Sequence, residues 1–177
     1  NGFFEPKAAM ALLRSYLSVT YGKGDWVKAY DQKQIYLNRN LIEDSNLKLS
    51  EFQDKVRDFM VQFTGVAGAA TASTMQNAAF SQGNFYKMEN SFNDKRSGDV
   101  IFFLEPGWVE RTEKPTAASS PYSYDAHVPL IFYGWKVKRK TILTPVDIAD
   151  VAPTTATLID ISWPNAATGK PLEELFQ

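Results

Sequence analysis

Apolar positions recur at helical spacing over residues 6–20, where Ala9, Leu12, Leu13, Tyr16 and Leu17 share a stripe and Pro6 suits a first turn. The spacing therefore predicts an amphipathic helix, ended by Gly22 and Gly24. Two β-rich runs, 26–30 and 35–37, flank the polar Asp31-Gln32-Lys33-Gln34 and read as a hairpin, although glutamine is a weak turn former. Over 51–64, Phe52, Val56, Phe59, Met60 and Phe63 line one face, Ser50 and Gln53 make a capping-box pattern, and Gly65 supplies a stop. Residues 66–74 are small and β-compatible, 75–80 suit a short helix, and 81–97, rich in Gly, Asn and Ser, read as a loop. Two continuous apolar runs, 99–104 and 128–133, predict strands buried on both faces. A final helix is expected over 151–159, with Asp150 as N-cap and Pro153 in the first turn.

Helical segments alternating with buried strands imply an α/β fold, with helices packed on a layered mixed or mostly parallel sheet. With 177 residues, 44% of them apolar, and no internal repeat or linker, residues 1–177 read as one domain. The start at Asn1, without methionine, suggests a processed or truncated piece of something longer.

Charge narrows the choice of partners. The formal net charge is −1, so no long-range field favours nucleic acid or an anionic membrane, and the basic stretch 136–140 reads as a solvated turn. No run approaches the roughly 20 apolar residues of a membrane span. The absence of cysteine excludes disulfides and thiolate metal sites.

Candidate chemistry centres on the single histidine, His127, directly before the second apolar run. Imidazole can ligate a metal or exchange protons near neutrality. Zinc needs three or four ligands, however, and no second histidine exists, so spacing favours a structural or supporting role for His127. Asp125 could orient the imidazole, as carboxylates do around metal sites, or merely share its face on an extended segment. Tyr122 and Tyr124, two apart beside a strand, suit packing. Arg96-Ser97-Gly98-Asp99, before a strand, could be a site but reads more simply as a turn; Asp147, Asp150 and Asp160 could be metal carboxylates, yet Asp147 and Asp150 fall around a helix start, where capping is the cheaper account. No phosphate-binding loop, nucleophile elbow or His-Glu-x-x-His helix is present, so spacing alone shows no catalytic machinery.

Three blocks carry a resemblance: residues 95–108, the run from Ser120 to Trp135, and Asp150-Val151-Ala152-Pro153-Thr154-Thr155-Ala156 with Pro164-Asn165 and Thr168-Gly169-Lys170-Pro171-Leu172. From Phe4 onward the chain resembles the C-terminal part of bacterial zinc-dependent alkaline phosphatases, the branch of that superfamily near the type I phosphodiesterases and nucleotide pyrophosphatases. The resemblance implies a Thr or Ser nucleophile attacking phosphorus between two zinc ions, the clamp of in-line displacement. It places the nucleophile and most ligands in segments N-terminal to anything present here.

The ligand that the family takes from this region is the histidine of His-Gly-Ser-Pro-Tyr, which falls on Ala118. A methyl group cannot coordinate zinc. His127 matches the family's second histidine, before Val-Pro, which stands beside the metals without binding them, with Asp125 close by. The resemblance thus implies a phosphate-ester substrate for the parent protein, a periplasmic or secreted location, and no zinc on the isolated chain. Ala118 leaves two alternatives: a relative whose metal site is altered or absent, or a branch in which that histidine was changed or is dispensable. The competing function is a non-catalytic binding or scaffold module that kept the fold.

Overall fold

The computed structural model describes residues 2–111, 120–135 and 137–176. The chain divides into two compact units, residues 1–128 and 129–177.

In the first unit, helix α1 (Pro6–Tyr21) buries Ala9, Leu13 and Leu17 of the expected stripe together with Met10, while Tyr16 is half-buried and Leu12 is exposed. The hairpin forms from β2 (Val27–Asp31) and β3 (Gln34–Leu37). Its central residues Gln32 and Lys33 both take positive φ, 46° and 65°, as a primed two-residue turn requires. Left-handed backbone costs a side-chain-bearing residue roughly 1–2 kcal/mol. The cost is offset where the Lys33 carbonyl accepts the Phe102 amide at 3.0 Å and the Lys33 ammonium lies 3.8 Å from the Glu110 carboxylate.

Two short helices follow, α2 (Arg39–Asp44) and α3 (Leu49–Met60). The capping box expected at Ser50 does not form. Lys48 occupies the cap position without a side-chain bond, and Gln53 is buried, its amide engaged elsewhere in the core. Beyond α3, Gly65 adopts a φ of 90°, and a side chain there would run into the Trp108 ring. Strand β4 (Val66–Thr71) and helix α4 (Ala72–Asn77) come next. The expected loop 81–97 contains a nine-residue helix, α5 (Gly83–Ser91), which buries Met88. Its polar composition hid a helix whose few apolar residues pack on the sheet.

Strand β5 (Val100–Leu104) lies inside a four-stranded sheet of order β2-β3-β5-β4, in which every neighbouring pair is antiparallel. Among the described residues, only β1 (Gly2–Phe4) and β6 (Trp108–Glu110), paired in a separate two-stranded sheet, run parallel. The expectation of a mixed or mostly parallel layered sheet is thereby corrected, while the α/β class stands. A continuous apolar strand needs cover on both faces, and an antiparallel sheet between two layers supplies it equally well. Val100, Phe102 and Leu104 face the larger core, built with α1, α3, Phe4 and Trp26; Phe103 and Ile101 face a smaller cluster with Ala70, Met75, Met88 and Phe85. Ring contacts such as Phe4 to Phe102 at 5.3 Å tie the larger core together.

The second expected strand is overturned. Among the described residues 128–133 pair with no strand, and most of their side chains face water: Ile131 is 81% and Tyr133 100% exposed, with Phe132 half-buried. An apolar run states a need for burial, and the sheet that would meet it here is not among the described elements.

Within the second unit, α7 (Val151–Leu158) forms as expected, with Pro153 in its first turn. The Asp150 carboxylate makes no bond to the amides of α7. It accepts the Asp147 amide at 3.0 Å and the Lys170 amide at 2.8 Å, so both aspartates serve the helix start and its flanking turn. Among the described residues no helix is long and apolar enough to cross a membrane.

Candidate functional site

The segment that carries the family-like pattern is tied to the end of β5 by hydrogen bonds. Tyr122 donates its hydroxyl to the Leu104 carbonyl at 3.0 Å, and the Tyr124 hydroxyl accepts the Gly107 amide at 3.3 Å. The two rings stack at 5.8 Å, so these tyrosines clamp the segment to the strand end. Burial raises the Tyr122 hydroxyl above its ordinary pKa, with smaller contributions from Tyr124 and Glu105, which keeps it a donor. The Lys87 ammonium donates to the Pro121 carbonyl at 2.5 Å, adding a tie from α5.

A single-turn helix, α6 (Ser123–Ala126), holds Asp125. Its carboxylate accepts the Ser120 hydroxyl at 2.6 Å and the Ser120 amide at 3.2 Å, closing the loop on itself. His127 follows, exposed, its backbone amide on the Ser123 carbonyl at 2.9 Å; among the described residues its ring makes no hydrogen bond. The structure thus brings Asp125 to Ser120 rather than to His127. Ala118 lies outside the described residues. Among those that are described, no group of three or more His, Asp or Glu side chains could hold a metal ion. The described residues therefore do not fit a zinc centre.

At the other end of β5 lies a polar cluster around Asp99, a residue noted in the sequence whose distant partners spacing did not reveal. Asp99, 2% exposed, accepts the Leu37 amide at 2.8 Å, the Arg39 guanidinium at 2.8 Å and the Gln53 amide at 3.0 Å. Gln53 in turn accepts the Ser73 hydroxyl at 2.7 Å. One carboxylate thus joins β3, α2 and α3, and Gln53 carries the link on to α4. The preceding residues form the expected turn, with the Ser97 hydroxyl accepting the Asn93 amide at 2.9 Å. An open depression of about 360 Å³ beside Ser73 is lined by Asp54, Thr71, Thr74 and Asn77. Its polar groups are engaged with one another or with neighbours: Asn77 with the Ser73 carbonyl, Thr71 with Thr74, Asp54 with Arg57.

A third cluster joins β2 to β6, where the Tyr30 hydroxyl donates to the Glu110 carboxylate. Burial, and then Glu110 itself, push the Tyr30 hydroxyl far above its ordinary pKa. No buried side-chain nitrogen or oxygen among the described residues lacks a partner. The signal for these clusters, a charged or phenolic residue within an apolar run, is visible only once the partners are known.

Fold and segment together match about a quarter to a third of the length of the alkaline phosphatases PafA and PhoV. The crystal structure of wild-type alkaline phosphatase PafA superposes on all of this chain and 34% of its own, with a TM-score of 0.88 at 28% identity. Among curated proteins, the chain is 29% identical over 165 residues to alkaline phosphatase PafA of Elizabethkingia meningoseptica, covering 93% of this chain and 30% of that one. It is 28% identical over 144 residues to alkaline phosphatase PhoV of Synechococcus elongatus, covering 81% and 26%. A calcium-transporting ATPase of Myroides odoratus is 31% identical over 179 residues, covering 100% and 33%. The chain thus spans about a third of the relatives it matches. No family model matches it.

Proposed function

We propose that this chain is the C-terminal segment of a metal-dependent phosphate-ester hydrolase, a phosphomonoesterase or phosphodiesterase, supplying sheet scaffold and one wall of the site. The observation that carries this reading is the superposition of the whole chain on one third of PafA. An alkaline phosphatase and an ATPase both cleave at phosphorus, so the relatives' names agree on the kind of reaction and differ in substrate. In this reading the nucleophile and most zinc ligands come from the remainder of the enzyme. Asp125 then pins the loop through Ser120, His127 stands beside the metals, and the enzyme works in the periplasm or outside the cell.

One feature supports a second reading, a non-catalytic module that kept the fold: residue 118, where the resemblance expects a histidine ligand, is alanine. The two readings part in an assay of phosphomonoester and phosphodiester turnover by the complete gene product, with and without a chelator, beside the 177-residue chain alone. The hydrolase reading expects chelator-sensitive, zinc-restored turnover by the complete protein and background turnover by the chain. Background turnover by both, with no zinc retained, supports the module. Zinc-dependent turnover by the chain alone overturns the assignment of the nucleophile to another segment.

A further inference from the structure

We infer that helix α5 positions the segment 120–127 for the phosphate-ester reaction, and that Lys87 is the positioning residue through which it acts. The inference rests on the reading of this chain as part of a larger hydrolase, in which that segment belongs to one wall of the site. The Lys87 ammonium donates to the Pro121 carbonyl at 2.5 Å. Among the described residues Lys87 has no carboxylate partner, so its charge ends on a single main-chain oxygen. Lysine gives up much rotamer freedom when held, and an exposed charged tie adds little to stability. What the bond fixes is a direction. Pro121 stands directly before Tyr122, the N-cap of α6, so the bond sets where that turn begins.

The helix is itself held firmly enough to serve as an anchor. Met88, next to Lys87, is buried, and the Phe85 ring meets Phe103 of β5 edge-to-face at 5.4 Å and stacks on Phe80 at 5.4 Å. The Glu89 carboxylate accepts the Phe80 amide at 2.9 Å, which closes the chain leading into the helix. Tyr122 packs against this same cluster while its hydroxyl bonds the Leu104 carbonyl. The segment is thus held from two elements, α5 and the end of β5, and each of these bonds has a main-chain atom of Pro121, Leu104 or Gly107 on one side. None of residues 120–127 is buried, so bonds at several points, rather than apolar cover, set the course of the segment. Such an arrangement serves precision: a misplacement of roughly 1 Å remote from the chemistry can lower a rate by about 100-fold.

Steady-state turnover of p-nitrophenyl phosphate by the complete gene product tests the inference. Lys87→Met, which keeps the stem and loses the donor, is compared with Lys87→Arg, which keeps a donor. Lys87→Met should lower kcat about 10-fold while KM stays within about twofold, because the loss falls on the geometry of the reacting complex. Its melting temperature should stay within about 2 °C of the unsubstituted protein. Lys87→Arg should recover most of the lost kcat. Lys55→Met, which removes an exposed charge from α3, should leave both constants unchanged. Unchanged kcat in Lys87→Met overturns the inference and leaves the hydrolase reading standing. A rise in KM alone would make Lys87 a substrate contact, and a fall in melting temperature parallel to kcat would make it a structural prop; either result overturns the inference as well. Absence of turnover by the unsubstituted complete protein, with zinc supplied, overturns the hydrolase reading, and the inference falls with it.

Discussion

Residues 2–111 and 129–176 were built from similar apolar segments and met opposite fates. In the first, β5 receives cover from α1 and α3 on one face and from α5 with its neighbours on the other. In the second, the run at 130–133 has comparable hydrophobicity, yet Leu130, Ile131 and Tyr133 stay exposed. Apolarity along a segment specifies how much burial it needs; the partner that provides it is specified by chain elsewhere. A domain can therefore hold one strand as its centre and another as an unfinished edge.

The largest effect should come from the covered strand. Phe102→Ala, which leaves a cavity between Phe4 and Tyr30, should cost about 3–5 kcal/mol in urea denaturation of the chain. A loss below about 1 kcal/mol would mean that the sheet is not the folded centre. Next, Asp99→Ala should cost on the order of 3 kcal/mol, because it strands the buried Leu37 amide and Gln53 side chain. Arg39→Ala, at the half-exposed partner, should cost about 1 kcal/mol or less. Equal losses from the two would make Asp99 mainly an ion-pair partner rather than a backbone and amide anchor.

A smaller effect depends on pH. The folded state holds the Tyr30 proton more tightly than the unfolded chain does, so its contribution is complete below about pH 10 and falls as pH rises beyond that value. Tyr30→Phe should flatten that alkaline decline in a stability profile, and an unchanged slope would place its cause elsewhere. The smallest changes belong to the uncovered unit and its approach: Ile148→Ser and His127→Ala should each stay within about 0.5 kcal/mol in the isolated chain.

Much of the first unit was legible because its signals are local. Helix α1 follows from a stripe, the hairpin from two β-rich runs, and β5 from an unbroken apolar stretch. The sense of strand pairing was not legible, since an antiparallel sheet covered on both faces leaves the same apolar run as a parallel one. Gln53 shows why the capping pattern misled: its amide spans 46 positions to Asp99, a partner that no local window contains. Helix α5 was hidden because its polar residues face water and Met88 alone is buried. At the candidate site, the loop before 128–133 and its two tyrosines were legible as a packed unit. The bond from Asp125 to Ser120 was not, because two residues' separation on an extended segment says nothing once that segment turns into α6.

Limited proteolysis of the 177-residue chain under native conditions reads the contrast between the two units directly. Cleavage should begin within 129–176 and leave a resistant fragment that retains β2 through β5, because only the first unit carries a core of its own. Early cuts inside 27–104, or survival of 129–176 to the same protease exposure, would contradict that division.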